Sequence, residues 1–266
     1  MAMVSAIGGP PDRDRFVRFR TTYTFNRFVD LPRDSHLKIL DFGCGEGHSL
    51  AVLLEIYPNA QIVGADIDTG LLSTCIAYFG KNPRVTLIQL KAPTAVEEIG
   101  SDFDIIQLNA VVEHLLPDER KKLMPDLWRR LRPNGYFVVT ETPWRWFPVE
   151  THTTSLPFVN YMPDRFALWA VRYRHSKSLN WNDALKYGVR GATVREIIAC
   201  IGADNGAIKR VQPAAPDARD MLEVWWRGEI RKSRVKALTY WVLRSLQRAT
   251  GIVMAPWVNL VLRKAA

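Results

Sequence analysis

Three glycines at alternate positions, Gly43, Gly45 and Gly47, form the most informative chemical pattern in this chain. An apolar run precedes them and a helical pattern follows, so the loop brings free backbone N–H groups and a helix N-terminus to one place. A second apolar run ends at Asp66, about 20 residues beyond the loop. A carboxylate at that position is suited to bind the hydroxyl pair of a ribose. The pattern therefore predicts a pocket for a nucleoside cofactor.

The glycine spacing favours one class of cofactor. A dinucleotide loop reads G-x-G-x-x-G, but His48 occupies the place of its third glycine, which disfavours an NAD-dependent oxidoreductase. The G-x-G-x-G form, with Asp41 two residues before it, resembles the first motif of the class I S-adenosylmethionine-dependent methyltransferases. The resemblance implies S-adenosyl-L-methionine as the cofactor. The implied cofactor-binding residues are Asp41, Gly43, Cys44, Gly45, Gly47, Asp66, Ile67 and Asn109.

Other motifs within residues 36–141 resemble the same family. The β-rich run 103–109 continues into VVEHL at 111–115, which resembles the family's fourth-strand motif. LRPNGYFVV at 131–139 resembles its helix-turn-strand element. One departure concerns the acid that often holds the adenine amino group after the third strand, because Gln89-Leu90-Lys91-Ala92 contains none. Either Gln89 or a backbone carbonyl makes that contact, or the cofactor affinity is modest.

Strand and helix patterns alternate along the chain, which predicts an α/β fold with a doubly wound, mostly parallel seven-stranded sheet and helices on both faces. A short sixth strand is expected at 207–211, and the run 257–264 resembles the family's last, antiparallel strand. We expect a single domain over 1–266. Its predicted parts are a helical lead-in (1–35), the cofactor-binding core (36–141), an aromatic-rich substrate-cap insertion (142–190) and a C-terminal part with covering helices (191–266).

Candidate catalytic groups follow the predicted fifth strand, at the edge where doubly wound sheets bind ligands. A hydroxyl acceptor must lose its proton as it attacks a methyl carbon, and histidine suits that task near neutral pH. His152 is the first predicted base, with Glu150 as its orienting carboxylate, and His114 is the second. The alternative for His114 is a packing role after Val111-Val112. His, Asp and Glu show no metal-ligand spacing in the sequence, so no metal is predicted.

Composition limits the partners and the compartment. The chain of 266 residues has 36 basic and 27 acidic side chains, with a net charge of +9. The three cysteines form no disulfide framework, and neither a signal peptide nor an apolar run of about 20 residues is present, which together favour the cytoplasm. Charge alone would suit nucleic acid, but the chain lacks a zinc knuckle and an appended RNA-binding module, so nucleic acid is disfavoured.

Basic residues concentrate in two segments. The first contains Arg13, Arg15, Arg18 and Arg20, and the second contains Arg227, Arg231, Lys232, Arg234 and Lys236. Leu238, Trp241, Val242 and Leu246 follow the second segment at helical spacing. Such a helix either packs its apolar stripe against the sheet, which we favour, or lies on an anionic membrane surface.

These features predict methyl transfer from S-adenosyl-L-methionine, with oxygen as the favoured acceptor atom on a small molecule, a sugar or a lipid-linked compound. One alternative is an N- or C-methyltransferase, which would need no strong base. The other is a non-catalytic module that binds a partner or a membrane and retains a vestigial cofactor pocket. The intact glycine loop and Asp66 argue against this last alternative.

Overall fold

A central β-sheet organises the computed structural model, which describes residues 11–175, 178–202, 208–210, 222–223, 225–227, 233–250 and 255–266. Within these residues the strands are β1 (Lys38–Phe42), β2 (Gln61–Asp66), β3 (Val85–Gln89), β4 (Phe103–Asn109), β5 (Leu131–Pro143), β6 (Ile208–Arg210) and β7 (Trp257–Lys264). The helices are α1 (Pro11–Phe28), α2 (His48–Ile56), α3 (Thr69–Phe79), α4 (Pro117–Arg130), α5 (Asp164–His175), α6 (Trp181–Lys186), α7 (Val194–Ile201) and α8 (Arg234–Thr250).

The sheet has seven strands in the order β3-β2-β1-β4-β5-β7-β6. Strand β7 runs antiparallel to both of its neighbours, whereas the other neighbouring pairs are parallel. The predicted doubly wound sheet with an antiparallel last strand is therefore confirmed. The predicted sixth strand is observed as β6, and the outer residues of that prediction, 207 and 211, lie outside the described part of the chain.

Both faces of the sheet are covered by helices. Successive side chains of a strand point to opposite faces, so each strand contributes to two cores. On one face Leu40 of β1 packs in a cluster with Leu127 of α4 and Ile197 of α7. On the other face Ile39 packs with Phe25 of α1 and Leu53 of α2. This arrangement buries a parallel sheet on both sides, as its long apolar runs require.

Residues 142–190 leave the carboxyl end of β5 and carry α5 and α6. They have a small hydrophobic cluster of their own, formed by Val159, Ala167, Ala170, Val171, Leu179, Ala184 and Val189. Several large aromatic side chains of the segment stay exposed, among them Phe158, Trp169 and Tyr173. The segment therefore packs as a unit beside the ligand-binding edge of the sheet and presents an aromatic surface.

Helix α8 differs from the packing that the sequence favoured. Leu238, Trp241, Val242 and Leu246 are 42% to 65% exposed, so the predicted packing of this stripe against the sheet is wrong. The opposite face of the helix is buried instead, through Tyr240, Leu243 and Gln247. Tyr240 and Leu243 pack with Phe147 just past β5. Apolar side chains occur on two faces of this helix, and within the described part of the chain only the face with Tyr240 and Leu243 packs against the rest of the protein. Arg231 and Lys232 lie outside the described residues.

Among the helices that the structure describes, none is both long enough and apolar enough to cross a membrane.

Candidate functional site

A cavity of about 1180 Å³ opens at the carboxyl ends of β1, β2 and β4. Its wall includes Gly45 of the glycine loop, Asp66 at the end of β2 and Asn109 at the end of β4. Residues of α1 and of the segment after β5 complete it. Because typical small-molecule pockets measure about 300–1,000 Å³, this cavity has room for a cofactor together with a second ligand.

The glycine loop is closely packed at Gly43 and open to the cavity at Gly45. Gly43 has φ +75°, and a Cβ there would lie 2.4 Å from Cγ2 of Val111, so a side chain is excluded both by conformation and by space. Gly45 has φ +51°, and its nearest neighbour would be Cδ1 of Leu71 at 3.9 Å. The loop backbone at Gly45 is therefore open toward the cavity, as close approach of a ligand requires.

Asp66 joins the loop to the next helix. Its carboxylate accepts hydrogen bonds from the backbone N–H groups of Gly45 at 2.7 Å and of Asp68 at 2.8 Å. A carboxylate offers about four lone-pair sites, so acceptor capacity remains for ribose hydroxyls. Ile67 follows it, lines the cavity and is 51% exposed. The geometry is compatible with the predicted roles of both residues in cofactor binding.

Asp41 lies behind the loop rather than in the cavity wall. It is fully buried, Oγ of Ser49 donates to its Oδ2 at 2.6 Å, and its Oδ1 has no hydrogen-bond partner. Burial raises the pKa of Asp41 to about 7; the Ser49 hydrogen bond opposes this rise and the charge of Asp66 adds to it. Asp41 therefore acts on the cavity indirectly, through Ser49 and through its charge interaction with Asp66, both of which line the cavity.

Replacing Asp41 with asparagine should make the protein's stability less sensitive to pH. In the folded state Asp41 keeps its proton up to about pH 7, but in the unfolded chain it loses the proton near pH 3.8. The folded state therefore binds more protons between these values, and the free energy of unfolding falls as pH rises, by up to about 4 kcal/mol. Asp41→Asn cannot ionise, so its Tm relative to wild type should increase between about pH 5 and about pH 8. A Tm difference that stays constant with pH would contradict the buried-acid assignment.

The remaining predicted cofactor residues take different places. Cys44 is buried in the cavity wall, and a hydrogen bond with Cys75 together with burial raises the pKa of its thiol, so it remains a neutral packing group. Asn109 lines the cavity and accepts a hydrogen bond from Oγ1 of Thr140 at 3.0 Å. Gln89 donates to the carbonyl of Ile67 at 2.9 Å and braces the loop after β2 instead of lining the cavity.

The two candidate histidines lie side by side although they come from distant parts of the chain. The ring centroids of His114 and His152 are 5.1 Å apart at an interplanar angle of 68°. His114 lines the cavity, whereas His152 lies behind it. Burial, and then the neighbouring His114, hold the pKa of His152 below its usual value of about 6.5, so this imidazole is neutral at pH 7.

Glu150 does not orient the imidazole of His152. Its carboxylate is 1% exposed and accepts hydrogen bonds from the backbone N–H groups of His152, Thr153 and Thr154. The hydroxyl of Thr154 also donates to it, at 2.8 Å. The predicted contact between the side chains of Glu150 and His152 is therefore wrong. The turn that follows Glu150 supplies enough backbone N–H donors to occupy its carboxylate.

Glu113 is a member of the site that the sequence did not single out. It is fully buried; Oγ1 of Thr142 donates to its Oε2 at 3.0 Å, and its Oε1 has no hydrogen-bond partner. This Oε1 lies 3.9 Å from Nε2 of His152. Burial raises the pKa of Glu113 to about 8. Its only signal in the sequence was its place directly before His114.

An ion pair between Arg20 and Glu141 forms another part of the cavity wall. The two side chains are 9% and 16% exposed, and the charged atoms are 3.4 Å apart. The Arg20 guanidinium also lies 5.5 Å from the ring centroid of Trp257 in β7. In the sequence Arg20 was one member of a basic cluster, and its inward position could not be read from the pattern.

Comparison with known proteins shows what parts of this chain resemble. Residues 39–135 match the protein family described as "Methyltransferase domain". A curated relative, the trans-aconitate 2-methyltransferase of Azoarcus sp. (strain BH72), is 31% identical over 131 residues, which cover 48% of this chain and 49% of the relative. The chain thus spans about half the length of this relative.

Solved structures share the fold at low identity. Phosphoethanolamine N-methyltransferase 2 of Haemonchus contortus, solved with S-adenosyl-L-methionine, is 16% identical with a TM-score of 0.52, and the match covers 92% of this chain and 52% of that one. The cyclase SpnF is 16% identical with a TM-score of 0.51, and the match covers 94% and 82% of the two chains. At this identity the likeness shows the fold alone, and one fold hosts different activities.

Proposed function

We propose that this chain, whose residues 39–135 match the family described as "Methyltransferase domain", is a class I S-adenosylmethionine-dependent methyltransferase that transfers a methyl group from S-adenosyl-L-methionine to an oxygen atom of a small-molecule acceptor. The proposal rests on one observation: Gly45 and Asp66 line one part of a cavity and His114 lines another part of the same cavity. The sulfonium cofactor is already activated, so the protein has to align the acceptor with the methyl carbon and exclude water.

Oxygen is favoured as the acceptor atom by the group of ionisable side chains at the cavity. His114 lines the cavity, with His152 and Glu113 behind it, and an acceptor hydroxyl placed there could lose its proton. An amine or carbon acceptor would need no such group. The N-methyltransferase from Haemonchus contortus keeps nitrogen as the alternative, but its likeness extends to the fold only.

The proposed acceptor is a small molecule of one of several chemical classes. The Azoarcus relative is named for trans-aconitate, which makes that compound one candidate. Because the match covers about half of each chain, sugars and lipid-linked acceptors stay in the proposal as well. Residues after β5, including Val149, Thr151 and Ser155, line the cavity and are placed to select among them.

Two further features support a cytoplasmic location, with peripheral contact to a membrane, for the proposed reaction. The three cysteines are free thiols, which suits the reducing cytoplasm. The exposed stripe of α8 begins next to Arg234 and Lys236, and a basic helix with such a stripe suits peripheral contact with an anionic membrane.

Replacing Asp66 with alanine tests the cofactor assignment. The change removes a carboxylate that can accept two ribose hydroxyls, and hydrogen bonds to a charged group contribute about 1.5–3 kcal/mol. Affinity for S-adenosylhomocysteine, measured by calorimetry, should therefore fall by about 10- to 100-fold. Asp118→Ala, at an exposed carboxylate of α4, is the matched control and should bind as wild type does.

Two results would overturn the assignment. Unchanged affinity in a folded Asp66→Ala protein would show that Asp66 does not hold the ribose. Wild-type protein that binds NADH but not S-adenosylhomocysteine would refute the proposed cofactor and with it the proposed function.

A further inference from the structure

The cluster beside the cavity, formed by Glu113, His114 and His152, has the composition of a cation site. One potential ligand atom from each residue lies within 4.8 Å of the other two. Two imidazoles and one carboxylate form a donor set that suits divalent first-row transition metals. We propose that this cluster binds one such cation and leaves coordination positions open toward the cavity.

The backbone of residues 186–188 prepares both imidazoles for this role. Nδ1 of His114 donates to the carbonyl of Lys186 at 2.8 Å, and Nδ1 of His152 donates to the carbonyl of Tyr187 at 3.1 Å. Each Nε2 therefore carries the free lone pair. Metal-binding histidines are commonly held in this way, with the second ring nitrogen donating to a carbonyl.

Gly188 lets the same backbone segment approach closely. It has φ +87°, and a Cβ there would lie 2.6 Å from Nδ1 of His152 and 3.3 Å from Cγ of Glu113. No side chain fits at this position, so the backbone packs directly against two of the three proposed ligands. This contact fixes the imidazole of His152 and the stem of Glu113 relative to each other.

Glu113 supplies an independent reason to expect a cation. Its Oε2 is held by Thr142, but its Oε1 has no partner although the side chain is fully buried. A buried carboxylate oxygen without a partner is costly, and a divalent cation would compensate it. Metal–ligand bonds of about 2.1 Å put neighbouring ligand atoms about 3–3.5 Å apart. The 3.9 Å between Oε1 and Nε2 of His152 is close to that separation, and a ring nitrogen of His114 lies within 4.8 Å of a ligand atom of each of the other two residues.

The role of the cation rests on the proposed methyl transfer. An acceptor hydroxyl bound to the cation would have a lowered pKa and would release its proton to solvent. Its oxygen would then form a bond to the methyl carbon as the bond between that carbon and sulfur breaks. The electron pair of the broken bond stays on sulfur and leaves S-adenosylhomocysteine. In this arrangement the imidazoles are ligands, and the cation replaces direct proton uptake by His114 or His152.

Cobalt titration tests the site without relying on activity. The untagged protein, stripped with a chelator and dialysed, is titrated with Co²⁺ while visible absorption is recorded. We expect saturation at one Co²⁺ per chain. His114→Ala, His152→Ala and Glu113→Gln should each weaken binding by at least about tenfold. His36→Ala, at an exposed histidine before β1, is the control and should bind Co²⁺ as wild type does.

The outcomes separate this inference from the proposed function. Wild-type protein without saturable binding at millimolar Co²⁺, or equal binding by wild type and all three variants, would overturn the cation site. His114→Ala changes an exposed side chain, so it remains informative if a variant at a buried position does not fold. Calorimetry with S-adenosylhomocysteine is run on the same preparations. Cofactor binding without Co²⁺ binding would refute the site alone, and Co²⁺ binding without cofactor binding would refute the proposed methyl transfer and leave the site supported.

Discussion

Alanine in place of His114 or of His152 should lower the rate of methyl transfer by about 10²–10⁴-fold. Both imidazoles belong to the group that would promote loss of the acceptor's proton, either as a base or as ligands of a cation that lowers the pKa of the hydroxyl, and their ring centroids are 5.1 Å apart. Affinity for S-adenosylmethionine should stay unchanged, because Gly45 and Asp66 lie in a different part of the cavity wall. The measurement is single-turnover methylation of an identified acceptor, with cofactor binding measured in parallel.

The pH dependence of wild type gives a second readout. Burial keeps the pKa of His152 below its usual value of about 6.5, so the rate should hold at neutral pH and fall in more acidic solution as this imidazole gains a proton. His36→Ala is again the matched control. Near-normal turnover in both variants would favour an acceptor whose reactive atom carries no proton to be removed.

Deletion of residues 255–266 should unfold the protein. Strand β7 lies between β5 and β6 in the sheet, so the deletion removes an interior strand. Val258, Leu260 and Leu262 are at most 1% exposed in the core. Their burial contributes roughly 1.5–3 kcal/mol each, a sum close to the whole stability of a typical domain. Circular dichroism and thermal melting should therefore show loss of the cooperative transition.

A shorter truncation provides the control for that deletion. Removing only Ala265 and Ala266 leaves β7 complete, since the strand ends at Lys264. This variant should melt as wild type does. If the longer deletion kept the wild-type Tm, β7 would have to be a detachable segment, and the interior position of the strand would be refuted.

The fold was predictable because its determinants are local. The run 103–109 is β-rich, with Phe103, Ile105, Ile106 and Leu108, and β4 occupies the same residues. Thr193 and Glu196 form the capping pattern at the start of α7, and the structure shows both hydrogen bonds of that pattern. Gly43 was recognisable because only glycine fits its conformation beside Val111. Secondary structure and backbone conformation at these positions are determined by residues that are close in sequence.

The site was only partly predictable because its contacts are not local. Glu113 is a charged residue in a turn, a pattern that ordinarily indicates exposure, yet the fold buries it completely. The carbonyls that fix His114 and His152 come from Lys186 and Tyr187, which lie 72 and 35 residues further along the chain. Glu150 failed as a prediction because spacing cannot show whether a carboxylate meets a side chain or its own backbone.

The ion pair between Arg20 and Glu141 affects how ligands enter and leave the cavity. Arg20 belongs to α1, Glu141 to β5, and the guanidinium also lies over the ring of Trp257 in β7. Any outward swing of α1 must therefore separate two largely desolvated charges and break a cation–π contact. Ligands must therefore enter and leave through the other sides of the cavity, and α1 forms a fixed side of its entrance.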